Sequence, residues 1–288
     1  MERNKIKSVC FYHSSLCAAT CPPPYQPMKP YLPPELLESI FKQVEDEGTL
    51  AASSLTCRAW APIAQSKYFR SIRFGPPSSN DASRFLKLIR ESPHIALLPR
   101  SIRSNQWDQK GEGDSVCLAQ IAPSLSNATY LSLEAVYLAY PSSWHIVEAF
   151  PSLQELRFFG CTVGLHFLSS VFQAHPTLHR LAFYVGTVVQ VNTNQELLPL
   201  RQLQHLQLFN PQNISLLAPL LFHSEAPLAP IERLSLCMSD SDSAYTLLFG
   251  LRHTLRVLEI NASYFEDGLR TSNGTCDSID FFINLTGL

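Results

Sequence analysis

Nine histidines and eight cysteines are the side chains of this 288-residue sequence that could do chemistry, and neither set falls into a reactive pattern. A zinc protease needs His-Glu-x-x-His so that two imidazoles share a helix face, an acyl-transfer elbow needs Gly-x-Ser-x-Gly, and a phosphate cradle needs a glycine-rich turn. None of these occurs. His175 and His179 are four residues apart, but Pro176 between them opposes a shared helical face. Asp240 and Asp242 read as part of a helix-capping loop rather than an acid/base pair. The cysteines form no Cys-x-x-Cys. Cys10, Cys17 and Cys21 cluster near the start, while Cys57, Cys117, Cys161, Cys237 and Cys276 are scattered. These features predict a chain without a catalytic centre, a metal or a cofactor.

Composition narrows the classes further. Lys+Arg 22 against Asp+Glu 24 leaves a formal charge of −2, so no net field recruits nucleic acid or an anionic membrane. The basic residues are dispersed, with no stripe for nucleic acid. No run of 18 apolar residues suggests a transmembrane helix. Five Asn-x-Ser/Thr sequons start at Asn127, Asn213, Asn261, Asn273 and Asn284, and Lys5 and Lys7 precede a mildly apolar stretch. His13, Ser14 and Ser15 interrupt that stretch, leaving it short of a signal's apolar region. The expectation is therefore reduced, mostly buried thiols in a cytoplasmic and/or nuclear protein.

The elements that must position any binding residues come from a period. Apolar-x-x-apolar-x-apolar recurs at Ala128/Leu131/Leu133, Leu153/Leu156/Phe158, Leu178/Leu181/Phe183, Leu203/Leu206/Leu208, Ile231/Leu234/Leu236 and Leu255/Leu258/Ile260. Its central residues are 131, 156, 181, 206, 234 and 258, with steps of 25, 25, 25, 28 and 24. Such a period marks a solenoid whose units bury their apolar faces against one another. Strands are expected at 129–134, 154–159, 179–184, 204–209, 232–237 and 256–261. Helices are expected at 115–122, 142–149, 164–174, 213–223 and 241–253, with Ser142, Asn213 and Ser241 as caps. Segment 186–198 carries a weaker helical signal. Crossover helices require the strands to be parallel. Ile102 lies 29 residues before Leu131 and Ile72 30 before Ile102, so irregular units can begin as early as Ile72. Ile279-x-x-Phe282, with Phe282 24 residues beyond Leu258, is placed as a seventh strand would be.

The preceding stretch reads differently. Residues 1–30 are a Pro- and Cys-containing tail, expected to be extended and without a core. In 31–74, Pro33-Pro34 opens a helix with Leu36, Leu37, Ile40, Phe41 and Val44 on a wide apolar stripe. Thr49 is a candidate N-cap for a second helix from Leu50 to about Trp60. Pro62 starts a third, Ile63 to Tyr68, and Phe69 to Phe74 alternates like a strand. Residues 75–125 bridge, with a helix over 81–91 and a strand within 97–103, before the repeats of 126–288.

Three pieces of residues 31–74 are similar to an F-box in order and spacing. They are Tyr31-Leu32-Pro33-Pro34-Glu35-Leu36-Leu37-Glu38-Ser39-Ile40-Phe41, then Leu55-Thr56-Cys57-Arg58-Ala59-Trp60, then Tyr68-Phe69-Arg70-Ser71-Ile72-Arg73-Phe74. The later units resemble leucine-rich repeats, an order also seen in the fungal-looking F-box proteins the chain most resembles. The repeat family places Asn or Cys after the strand to satisfy the turn, and only Cys161 stands there. Val136, Gly186, Pro211, Ser239 and Ser263 depart from it, so other groups must satisfy the turns. The implied fold is α/β: a small helical F-box followed by a curved parallel-sheet, leucine-rich-repeat-like solenoid.

The resemblance implies a non-catalytic substrate receptor of a cullin ubiquitin ligase. Its F-box would dock on a Skp-family adaptor through Leu32, Pro33, Leu36, Leu37, Ile40, Leu55, Cys57 and Trp60, with Leu36 and Trp60 also serving the small domain's core. The alternative is a repeat scaffold without ligase linkage, its F-box-like segment only capping the solenoid. For a target protein, strand alternation turns three rows outward. One row carries Phe159, Tyr184 and Phe209 on consecutive strands, flanked by Arg157, Arg180 and Arg233. Aromatic rings beside arginine have the composition of a binding hot spot. The alternative for the rings is that they pack on one another and stabilise the sheet.

Overall fold

The structure is a computed structural model that describes residues 32–75, 79–105, 114–139, 144–190, 200–209, 212–221, 230–237, 241–261 and 280–284. The N-terminal tail with its three cysteines and the candidate cap Ser142 lie outside the described residues. The chain divides into two compact units, Met1–Ser71 and Ile72–Leu288.

The first unit is helical. Helix α1 (Pro34–Gln43) starts on a proline, carries Glu35 in its first turn and Lys42 in its last, and so matches its own dipole. Lys67 Nζ donates to the Lys42 carbonyl at 2.7 Å, satisfying a carbonyl of that last turn. Helix α2 (Glu47–Thr56) begins earlier than Leu50, because Asp46 rather than Thr49 is its N-cap. The Asp46 carboxylate accepts from both the backbone N–H and the hydroxyl of Thr49, each at 2.6 Å. It also ends before Trp60: Cys57 is extended, and α3 (Ala61–Tyr68) opens with Pro62 in its first turn. Phe41, Leu50 and Ala64 form the buried core, with Val44, Trp60, Ile63 and Tyr68 packed against it. The Trp60 ring meets Phe41 edge-on at 5.9 Å.

The second unit is one ten-stranded sheet with helical crossovers. Its strands are β1 (Ser71–Phe74), β2 (Ser101–Asn105), β3 (Tyr130–Glu134), β4 (Tyr137–Leu138), β5 (Glu155–Gly164), β6 (Arg180–Val189), β7 (His205–Leu208), β8 (Arg233–Cys237), β9 (Val257–Asn261) and β10 (Asp280–Asn284). They lie side by side in chain order, except that β4 pairs beside β3 on β5. The strand expected from Phe69 starts instead at Ser71. Pairing from β2 to β9 is parallel and keeps the sequence period in register: Ile102, Leu131, Leu156, Leu181, Leu206, Leu234 and Leu258 stand in one row. That row is buried throughout. Helices α4 (Asp81–Glu91), α5 (Asp114–Ile121), α6 (Trp144–Glu148), α7 (Leu165–Ala174), α8 (Gln212–Leu221) and α9 (Ser241–Leu251) run between strands. On α7 the buried Phe167 meets Phe158 of β5 at 6.2 Å, so the leucine face of the sheet is the helix-covered one.

The structure corrects three expectations. Strand β10 pairs with β9 antiparallel, with Phe282 opposite Glu259, so it returns along β9 instead of adding another parallel unit. Strands β5 and β6 run on to Gly164 and Val189, and residues 186–189 are extended where a weak helix was expected. Buried Cys161, Val163 and Val188 supply the second apolar set that holds this extension. Asn213 is not a cap: it lies inside α8, fully buried, and its Oδ1 accepts from Val188 N–H at 2.8 Å while its Nδ2 donates to the Gly186 carbonyl at 3.3 Å.

The turns are satisfied by a set of side chains reaching one unit back. Asn127 Nδ2 donates to the Leu97 carbonyl at 2.7 Å, Thr177 Oγ1 to Leu153 at 2.8 Å, and Gln202 Nε2 to Phe172 at 2.5 Å. Cys161 Sγ donates to the Leu133 carbonyl at 3.2 Å.

Two substitutions test this packing. Gly186 has φ +152°, and a β-carbon there would collide with the Cys161 carbonyl oxygen. Gly186→Ala should lower stability by about 1–3 kcal/mol, read as an earlier urea midpoint. Asn213→Ala removes the acceptor of a buried N–H and should cost about 1–3 kcal/mol in the same measurement, whereas loss of a mere helix cap would leave Val188 N–H protected from exchange.

Candidate functional site

On the sheet face turned away from the leucine core, the strands bring Phe159, Tyr184 and Phe209 together. Phe159 stacks on Tyr184 with centroids 4.2 Å apart and planes 4° from parallel. Tyr184 stacks on Phe209 at 4.7 Å and 12°. The register between β5 and β6 slips here, with Phe159 opposite Val185 and Cys161 opposite Gly186. Gly160, at φ +62°, takes the left-handed conformation this slip requires. All three rings are half-buried.

Arg157 ties the ladder to its neighbours. Its guanidinium donates to the Tyr184 hydroxyl at 3.0 Å and to Glu155 at 2.5 Å, and lies 5.0 Å from the Tyr130 ring centroid. The Tyr184 hydroxyl in turn donates to Gln207 Oε1 at 3.2 Å. Burial raises the Tyr184 pKa above its ordinary value although Arg157 pulls it down, so the phenol stays neutral and can serve as both donor and acceptor. Arg180 and Arg233 do not flank the rings. Arg180 pairs with Glu155 at 3.6 Å and Arg233 with Glu259 at 3.7 Å, at the opposite end of their strands. Between them His205 has its pKa lowered, first by burial and then by the charges of Arg180 and Arg233. Small residues of the middle row, Ser132, Ala182 and Ser235, are buried beneath longer neighbours. Ser235, for example, donates to Glu259 at 2.5 Å.

In the helical unit, the aliphatic side chains divide. Leu32 is 40% exposed, Leu36 and Ile40 51% each and Leu55 62%, whereas Leu37 is 4% exposed. Pro33 and Cys57 are exposed, and Trp60 is half-buried on Phe41. Leu36, four residues before Ile40, shares its helix face and points to solvent, so it does not serve the core as expected. Trp60 does. Four large aliphatic side chains are thus left in water within one small unit.

Residues 30–74 match the F-box-like family model. This segment is an F-box-like domain. No curated protein matches the chain. F-box domains typically bind Skp-family adaptors, and F-box proteins are generally adaptor subunits rather than enzymes. The F-box-like domain therefore carries the exposed Leu32, Leu36, Ile40 and Leu55.

Three features escaped the sequence reading. The turn-bridging residues Asn127, Thr177 and Gln202 lie four positions before the central strand leucines 131, 181 and 206, so a polar row at the repeat period was there to be read. Glu155, shared by Arg157 and Arg180, was visible as a carboxylate one strand from an arginine in the same row. The role of Asn213 had no such signal, because it acts from a helix on a strand extension that the period did not mark.

Among the described residues, no three His, Cys, Asp or Glu side chains are grouped as a metal site, and no helix is long and apolar enough to cross a membrane. His175 is buried, bonded to the Val147 carbonyl at 3.0 Å, with its pKa lowered mainly by burial. This is a structural histidine. Burial also pushes the Cys161 thiol up to about 11, while Cys57 is exposed. Thiol labelling near neutral pH with peptide mapping should therefore modify Cys57 and spare Cys161 until the chain is unfolded. Equal labelling of both in the folded protein would contradict this placement.

Proposed function

We propose that the chain is the substrate-recognition subunit of an SCF-type cullin ubiquitin ligase. Its F-box-like domain docks on a Skp-family adaptor, and through it on a cullin. Its second unit, a degenerate leucine-rich-repeat-type solenoid, holds a target protein on the sheet face. The observation that carries the reading is the exposed Leu32, Leu36, Ile40 and Leu55 within the matched segment. Leu37 and Trp60 would support this surface from beneath, and Pro33 and Cys57 would border it. Catalysis then takes place on other subunits. This chain contributes proximity, raising the effective concentration of target lysines near a ubiquitin-loaded enzyme. A cytoplasmic or nuclear location follows from that role.

Co-purification with the Skp-family adaptor tests the docking half. Wild type should capture the adaptor. Leu36→Asp, and the pair Leu32→Asp/Pro33→Ala, should lose it while keeping helical content, because a carboxylate at an exposed aliphatic contact buries an unpaired charge in the complex. No adaptor with wild type would leave the scaffold reading in its place. Alanine at Phe159, Tyr184 and Phe209 tests the other half: target capture should be lost and adaptor capture retained. Retained target capture would mean that the rings only stabilise the sheet.

A further inference from the structure

The charge of the sheet face runs against that of the chain. Strands β1 to β9 carry five arginines, Arg73, Arg103, Arg157, Arg180 and Arg233, against three glutamates, Glu134, Glu155 and Glu259. That is a surplus of two positive charges on a protein of net charge −2. Each glutamate is already engaged: Glu134 by Arg73, Glu155 by both Arg157 and Arg180, Glu259 by Arg233. Arg103 is exposed and has no ion pair among the described residues. Arg180 and Arg233 remain about half exposed, one strand to either side of His205.

The aromatic ladder lies four residues further along the strands, about 13 Å away at ~3.3 Å per residue. Its rings stack on one another, so their inner faces are occupied and mainly their edges are left to a partner. Nucleic-acid bases need ring faces to stack on, and these are largely consumed. Ring edges and half-exposed aromatic carbon suit apolar protein side chains instead. We propose that this face receives an acidic segment of a partner protein, its carboxylates over Arg180, His205 and Arg233 and an apolar side chain against the edges of Phe159, Tyr184 and Phe209. The proposal rests on the target-holding role of the sheet and names the chemistry of the target. Carboxylates suit the row because Glu155 is shared between Arg157 and Arg180, which leaves that trio one positive charge in surplus, and because Arg180 and Arg233 stay about half exposed.

Fluorescence anisotropy of the full chain, without adaptor, tests this with four labelled probes. These are short peptide pools carrying one Phe with several Glu, several Lys or several Ser, and an oligothymidylate. The Glu pool should bind about tenfold more tightly than the Lys and Ser pools, and less tightly as salt is raised. Arg180→Gln/Arg233→Gln, which keeps side-chain bulk and adds no carboxylate beside Glu155 or Glu259, should remove that preference while circular dichroism is unchanged. Indifference to charge, no binding of the Glu pool, a preference that survives the double substitution, or oligothymidylate binding as tightly would each overturn it. Because no adaptor is present, loss of adaptor capture in the co-purification leaves this result untouched.

Discussion

In-register stacking of one leucine per unit is the constraint on which the second unit depends. Ile102, Leu131, Leu156, Leu181, Leu206, Leu234 and Leu258 occupy one row of a parallel sheet and are buried along its length. A strand alternates its side chains, so fixing that row fixes the rows beside it, up to Phe158 where the β5–β6 register slips. A one-residue slip in any unit would turn its leucines to water and its Arg157 or Glu155 into the core. The outward residues are thus placed by a buried interaction in which they take no part. Together with the slip at Gly160, that placement brings Phe159, Tyr184 and Phe209 of consecutive units within stacking distance of one another.

The same economy separates roles in the chain. In the helical unit, Phe41, Leu50 and Ala64 satisfy the core, which frees Leu32, Leu36, Ile40 and Leu55 to stay in water. These are the side chains that the proposed adaptor contact would cover. On the sheet, by contrast, nearly every charged group is already paired. The arginines are held by glutamates, and the rings by one another. Such a face is pre-organised, and a partner meeting it loses little side-chain entropy on its side of the interface.

The sequence showed the parallel strands and their register because burial on one face writes a period that leucine and phenylalanine carry openly. It showed the three segments of the F-box-like domain for a similar reason, since proline and the paired apolar positions punctuate short helices. It misjudged where chemistry is local and reciprocal. Asp46 took the cap from Thr49, because its carboxylate, one residue outside the helix, accepts from Thr49's own backbone N–H and hydroxyl and so places Thr49 inside the first turn. Asn213 read as a cap from its type and is instead an interior bridge to Gly186 and Val188. The antiparallel return of β10 could not be read, because strand direction leaves no mark on a spacing of 24 residues. For the site, the ring ladder was legible from the period, while the destinations of Arg180 and Arg233 were not. They depended on which glutamate lay nearer than the rings.

Hydrogen exchange of the full chain, with and without a Skp-family adaptor, bears most directly on the division between the two units. The account predicts new protection confined to peptides spanning Pro34–Tyr68, with exchange in Glu155–Leu208 unchanged. Protection appearing on the sheet strands, or none in the helical unit, would contradict it.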